Sequence, residues 1–115
     1  MDYENIIAEI VGEEYKNYWF TLKPKIYYKD NEPFGLIGSK ELHGITYLAT
    51  TAINTDYDFT IGMIRDIINF YNKGEICLLS GTKDRENNIR KGLSRFKFRF
   101  EYNNDILYAY GGKNV

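Results

Sequence analysis

Few residues in this 115-residue chain have the chemistry to act on a substrate, and they stand apart from one another. The single histidine, His43, lies in Glu41-Leu42-His43-Gly44, a turn composition in which Glu41 is the one nearby carboxylate. An imidazole needs a positioned partner to act as a general base, so His43 reads as a solvated turn residue. Cys77, the only cysteine, alternates within an apolar run. A thiol there behaves as a small hydrophobe, whereas a nucleophile needs an open, electropositive setting. One cysteine and one histidine exclude an internal disulfide and a multi-cysteine zinc site. No catalytic residue and no metal ligand is expected.

Two stretches have the composition of contact surfaces. Aromatic residues make up 17% of the chain, more than so small a core can hide, and tyrosine buries a ring while keeping its hydroxyl wet. The cluster Tyr15, Tyr18, Trp19 and Phe20 is therefore expected to bind a partner. Basic residues concentrate between Lys83 and Arg99. Arg90, Lys91 and Arg95 fall off the apolar stripe Ile89, Leu93, Phe96 and form a basic helix surface. Contact with nucleic acid or an acidic protein is one reading of it. By itself it reads as a solvated face balanced by Asp2, Glu4, Glu9, Glu13 and Glu14; if the chain is a binding module, Arg90, Lys91 and Arg95 are expected to bind a partner beside the aromatic cluster.

The elements that must position these residues follow from hydrophobic periodicity. Ile6, Ile7, Ile10 and Val11 predict an amphipathic helix over 2–17, weakened at Gly12, with Asp2 or Glu4 at its positive end. Lys25–Lys29, Pro33–Ser39 and Ile45–Ile53 read as three strands joined by polar turns, the last apolar on both faces and so central. Phe59, Met63, Ile64, Ile67, Ile68 and Tyr71 mark the clearest helix, with Asp58 as N-cap and Lys73-Gly74 as stop. Glu75–Ser80 is a short buried strand, expected to lie parallel to Ile45–Ile53. A further helix carries Ile89, Leu93 and Phe96. Phe98–Tyr102 and Ile106–Tyr110 close as a hairpin, and the Gly-Gly-Lys-Asn-Val tail is expected to be loose.

The net charge of −1 gives no global attraction to nucleic acid or membrane. No signal peptide and no apolar run of membrane-spanning length is apparent. The expected setting is a virion or the host cytoplasm, without a membrane. The expected architecture is one α/β (α+β) domain over 1–115, a mixed sheet of about six strands with three helices. Its parts are a helix and aromatic connector (1–24), a three-stranded meander (25–53), a helix-strand-helix unit (54–98) and a C-terminal hairpin (99–110).

This order resembles the GNAT acyltransferase superfamily, whose central parallel strands splay to admit the pantetheine arm of acetyl-CoA. The likeness covers residues 25–110 and is most specific over Ile76–Phe98 (ICLLSGTKDRENNIRKGLSRFKF). That segment is similar to the family's strand, loop and helix ending in Phe, with Asn87 or Asn88 in the loop. Glu32–Ser39 (EPFGLIGS) and Ile45–Thr50 (ITYLAT) resemble strands of the short GNAT-like proteins of tailed bacteriophages, which include internal virion and head-assembly proteins.

The resemblance implies chemistry that this chain lacks. The family binds pyrophosphate through a Gly-rich loop at a helix N-terminus, but the matching Asn54–Gly62 (NTDYDFTIG) has one glycine, no cation, and Asp56 and Asp58. Each close like-charge contact would oppose binding by roughly a few kcal/mol. The family's acid Tyr falls on Leu93, which has no proton to give. The resemblance therefore implies a catalytically inactive phage protein with no cofactor, acting through contacts with other virion proteins or a host protein. One alternative is a divergent acyl-CoA-dependent N-acetyltransferase. It would hold acetyl-CoA with Thr60, Ile61, Gly62 and Asn88, and use Tyr108 or Tyr110 as acid. The other is a phage anti-defence protein that binds a host enzyme.

Overall fold

The computed structural model of the protein describes residues 2–52, 59–80 and 85–113. In chain order the elements are α1 (Tyr3–Val11), α2 (Lys16–Thr21), β1 (Lys25–Lys29), β2 (Glu32–Leu42) and β3 (Ile45–Ala52). There follow α3 (Ile61–Lys73), β4 (Ile76–Ser80), α4 (Arg85–Gly92), β5 (Arg99–Asn103) and β6 (Ile106–Gly111). The six strands form one mixed sheet in the order β1-β2-β3-β4-β6-β5, in which β3 and β4 are parallel and every other pair is antiparallel.

Three two-residue reversals set three of the four antiparallel registers: Asp30-Asn31, His43-Gly44 and Asn104-Asp105. All six residues have positive φ, from 50° to 81°, the type I′ pattern whose twist matches that of the flanking strands. Asn, Asp and Gly tolerate that region, and histidine at the first position is the poorest fit of the six. His43→Asn is expected to raise stability by about 0.5 kcal/mol, read as a higher urea midpoint at unchanged slope. A drop in midpoint would mean that the imidazole makes a contact worth keeping.

The sheet has a helix layer on each face. On one, Met63 and Ile67 of α3 and Ile89 of α4, with Leu93 just beyond it, pack on Leu48, Ile76, Leu78, Leu107 and Ala109. On the other, Ile7 of α1 and Trp19 of α2, with Leu22, close over Leu36, with Ile26 and Ala49 at the border. Burial of these side chains supplies the main driving force, at roughly 25 cal/mol per Å² of apolar surface removed from water.

The expected strand order holds, with four helices among the described residues rather than three. The helix expected over 2–17 is divided. Asp2 caps α1 by accepting from the Asn5 amide at 2.9 Å, and Gly12, at φ 88°, ends it. A second short helix then carries Tyr18-Trp19-Phe20. The cap of α3 is Thr60, whose Oγ1 accepts from the Met63 amide at 3.1 Å; Asp58, the expected cap, lies outside the described residues. β2 runs on to Leu42, so only His43-Gly44 turns. The tail is tied down as far as Lys113, whose amide donates to the Tyr71 carbonyl at 3.0 Å. No helix among the described residues is long and apolar enough to cross a membrane.

Candidate functional site: an open aromatic sheet face

Residues directly opposite one another on neighbouring strands share a face, so the registers lay out two rows. Tyr47, Cys77, Tyr110 and Arg99 cross β3, β4, β6 and β5 in one, and Ala49, Leu79, Tyr108 and Glu101 in the next. Both rows lie on the face opposite Leu48 and Leu78, which is the face that α1 and α2 cover at β1–β3. Helix α1 packs on β2 and β3, and Tyr47, Leu79, Tyr108 and Tyr110 belong to neither core cluster. These four side chains stay half-buried. Tyr18, at 61% exposure, and Leu42, at 44%, extend the surface. Tyr18, Leu22, Leu42, Tyr47 and Leu79 line a groove of about 200 Å³ at its border.

The titratable groups on this face are poorly suited to proton transfer near neutral pH. Burial pushes the Cys77 thiol up to about 11, against partial relief from a hydrogen bond with Tyr110. Burial, and then the neighbouring Cys77, pushes the Tyr110 phenol up to about 12. Such a thiol carries almost no thiolate, and such a phenol is a weaker acid than free tyrosine. The Arg99 guanidinium stacks 4.8 Å from the Tyr110 ring and pairs with Glu101. The chemistry on offer is apolar and aromatic contact with a few hydrogen-bonding hydroxyls.

The residues expected to bind partners divide among three environments. Tyr15 and Tyr18 are exposed, Phe20 is half-buried and Trp19 is buried at 9% exposure. The Trp19 indole turns inward to pack with Ile7, Leu22 and Leu36, so it belongs to the core. Arg90, Lys91 and Arg95 are exposed on the opposite side of the sheet. The two surfaces are therefore separate. Arg90 is already engaged, 3.4 Å from Glu86 and with its guanidinium 4.3 Å from the Phe100 ring centre.

The positions weighed for a cofactor are also separated. Thr60, Ile61 and Gly62 line a cavity of about 540 Å³ walled by β1, from Lys25 to Lys29. A Cβ on Gly62 would lie 3.4 Å from the Tyr27 ring. Asn88, on α4, is not part of that lining. The parallel ladder between β3 and β4 ends at Ala49 and Leu79, although β3 continues to Ala52 and β4 to Ser80. There the Thr50 hydroxyl donates to the Leu79 carbonyl at 3.2 Å, and the buried Ser80 Oγ has no hydrogen-bond partner. The carboxyl end of the parallel pair is where open α/β sheets bind ligands. It lies two strands from β1, against which the first turn of α3 sits. Leu93, where the GNAT resemblance would place an acid, is 2% exposed and belongs to the core. Asn54, Asp56 and Asp58 lie outside the described residues. Among the described residues, no group of three or more His, Cys, Asp or Glu side chains is placed to hold a metal ion.

One polar cluster had no signature in the sequence. Asp66 Oδ2 accepts from the Tyr27 phenol at 2.6 Å and from Lys25 Nζ at 2.9 Å, joining β1 to α3 across about forty residues of chain. Burial alone would raise the Asp66 carboxyl, but these two hydrogen bonds and the charges of Lys25 and Arg65 hold it below its ordinary value of 3.8. With a folded pKa below the unfolded one, its stabilisation is present above the ordinary carboxyl range and is lost as pH falls through the folded pKa. Asp66→Asn is accordingly expected to cost about 1 kcal/mol at pH 7. The gap from wild type should close as the medium is acidified below the ordinary carboxyl value. A gap independent of pH would contradict the charge-based account.

No protein-family model matches this chain, and a search of the curated proteins gives no match to it.

Proposed function

We propose that the chain is a catalytically inactive, GNAT-like bacteriophage protein that acts in the virion or its assembly through protein–protein contacts. The carrying observation is the aromatic surface on β3, β4 and β6, where Tyr47, Leu79, Tyr108 and Tyr110 belong to neither core cluster. Tyrosines on a rigid sheet make good anchors, because they bury a large ring at little entropic cost and aromatic residues dominate interface energetics. The buried Leu93 and the weakly acidic Tyr110 support the inactive half of the proposal, the Ile76–Phe98 resemblance supports the family, and the resemblance of Glu32–Ser39 and Ile45–Thr50 supports the phage setting.

The test is co-purification of the tagged full-length chain from the cells that produce it, beside the variant Tyr47→Thr/Tyr108→Thr. Threonine keeps the strand propensity while removing both rings. A defined partner held by the wild type should bind the variant at least about tenfold more weakly, equivalent to about 1.4 kcal/mol. Equal capture by a folded variant would move the contact off this face.

A second reading, a divergent acyl-CoA-dependent N-acetyltransferase, is favoured by one observation. At the carboxyl end of the β3–β4 ladder the buried Ser80 Oγ has no hydrogen-bond partner, a group that a pantetheine arm would engage. Against it stands the first turn of α3, which faces β1 across a separate cavity. Binding of acetyl-CoA separates the two readings.

A further inference from the structure

A cavity of about 310 Å³ lies between β1, β2 and the C-terminal half of α3, on the opposite side of the sheet from the aromatic surface. Three lysines, Lys23, Lys25 and Lys73, line it together with Asp66. Lys25 and Asp66 neutralise each other at 2.9 Å. Lys23 and Lys73 have no ion-pair partner among the described residues. Three positive charges against one negative leave the lining with an excess of two. Like charges gathered around one space repel, and an anion between them offsets that repulsion.

The backbone supplies an independent observation. Lys23 follows the end of α2, its amide donates to the Phe20 carbonyl at 3.2 Å, and its φ is 49°. This is the left-handed position after a helix C-cap, which glycine occupies at least strain. Pro24 restricts the preceding residue further. The fold alone would favour glycine here, yet the position carries a lysine whose side chain lines the cavity. Unlike the turn residues, this lysine is not required by a hairpin, and strained positions of this kind cluster at sites of function.

We propose that this cavity binds a small phosphate monoester. Near neutral pH a phosphoryl group carries a charge of about −1.5 to −2, which matches the excess from Lys23 and Lys73. The Asn69 amide and Ser39 hydroxyl, both in the lining, add donors for its oxygens. The ester's carbon part lies against Ile37 and Phe70, and the volume falls within the range of small-molecule sites. The inference uses none of the contacts of the aromatic surface, so either can fail alone.

The test is NMR titration of the full chain with inorganic phosphate and with phenyl phosphate at constant ionic strength, beside a sodium chloride control. Saturable amide shifts are expected at Lys23, Asn69 and Lys73, with phenyl phosphate binding more tightly than phosphate. Lys23→Gly should keep or raise the thermal midpoint, because glycine relieves the left-handed strain, and should weaken phosphate binding at least about tenfold. Lys73→Gln should show the same loss. Absence of saturation at tens of millimolar, an equal response to chloride, or undiminished affinity in both variants would overturn the site. Equal affinity for the two phosphates would overturn the assignment of an ester.

Discussion

Trp19→Ala is expected to destabilise the protein by about 3 kcal/mol, a large share of the roughly 5–15 kcal/mol available to a domain. The size of the effect follows from how little else holds its layer. The second core cluster has four buried members, Ile7, Trp19, Leu22 and Leu36, and Trp19 is the largest. Helix α2 has six residues, too few to be stable without docking, and Trp19 is the side chain that docks it. Urea unfolding followed by circular dichroism measures the loss. Tyr18→Ala, one residue away and pointing to solvent, should change stability by less than about 0.5 kcal/mol. A loss below about 1 kcal/mol for Trp19→Ala would contradict its placement in the core and return it to the contact surface.

Gly38→Ala is expected to cost about 2 kcal/mol by overpacking. A Cβ at Gly38 would stand 2.6 Å from Leu22 Cβ and 3.1 Å from Leu22 Cδ1. A Cβ cannot rotate away, so the segment joining α2 to β1 must lift from the sheet. That movement also strains the bond from the Ser39 amide to the Leu22 carbonyl, at 3.3 Å. Leu22→Ala keeps the offending Cβ and should not rescue the variant. Thermal or urea unfolding of the two single variants and the double variant forms the required cycle. A cost within about 0.5 kcal/mol for Gly38→Ala would mean that α2 is held less closely than the structure has it.

Much of the sheet was legible because its signals are local. Alternation along Lys25–Lys29 and Phe98–Tyr102, and the two-sided apolar run of Ile45–Ile53, state their elements within a few residues. Gly12 was visible as a weak point in the first helix. That it ends α1 outright depends on α1 and α2 both packing against the sheet. Trp19 illustrates the same limit: a Tyr-Trp-Phe run shows that rings are present, but the direction of each depends on how α2 lies. Tyr108 and Tyr110 were readable as an alternating pair. Which face they occupy, and that no core cluster takes them in, depends on β6 inserting between β4 and β5. The Tyr27–Lys25–Asp66 cluster and the lysine-lined cavity join residues some forty positions apart, a distance that periodicity does not span.

The structure also changes the grounds for proposing an inactive scaffold. From sequence those grounds were the two carboxylates of Asn54–Gly62 and the leucine at the acid position. The first segment is described only from Phe59, and there the turn of α3 lies against β1. Leu93 is packed in the core. The unpartnered Ser80 Oγ at the end of the β3–β4 ladder is the observation that favours a cofactor.

Thermal unfolding of the full chain titrated with acetyl-CoA and with CoA, each to about 1 mM, decides between scaffold and enzyme most directly. A site with a dissociation constant of about 10 μM would add about 2.7 kcal/mol at that concentration, a plainly visible rise in midpoint. The inactive, contact-making reading predicts no saturable shift with either ligand. A saturable rise would contradict it.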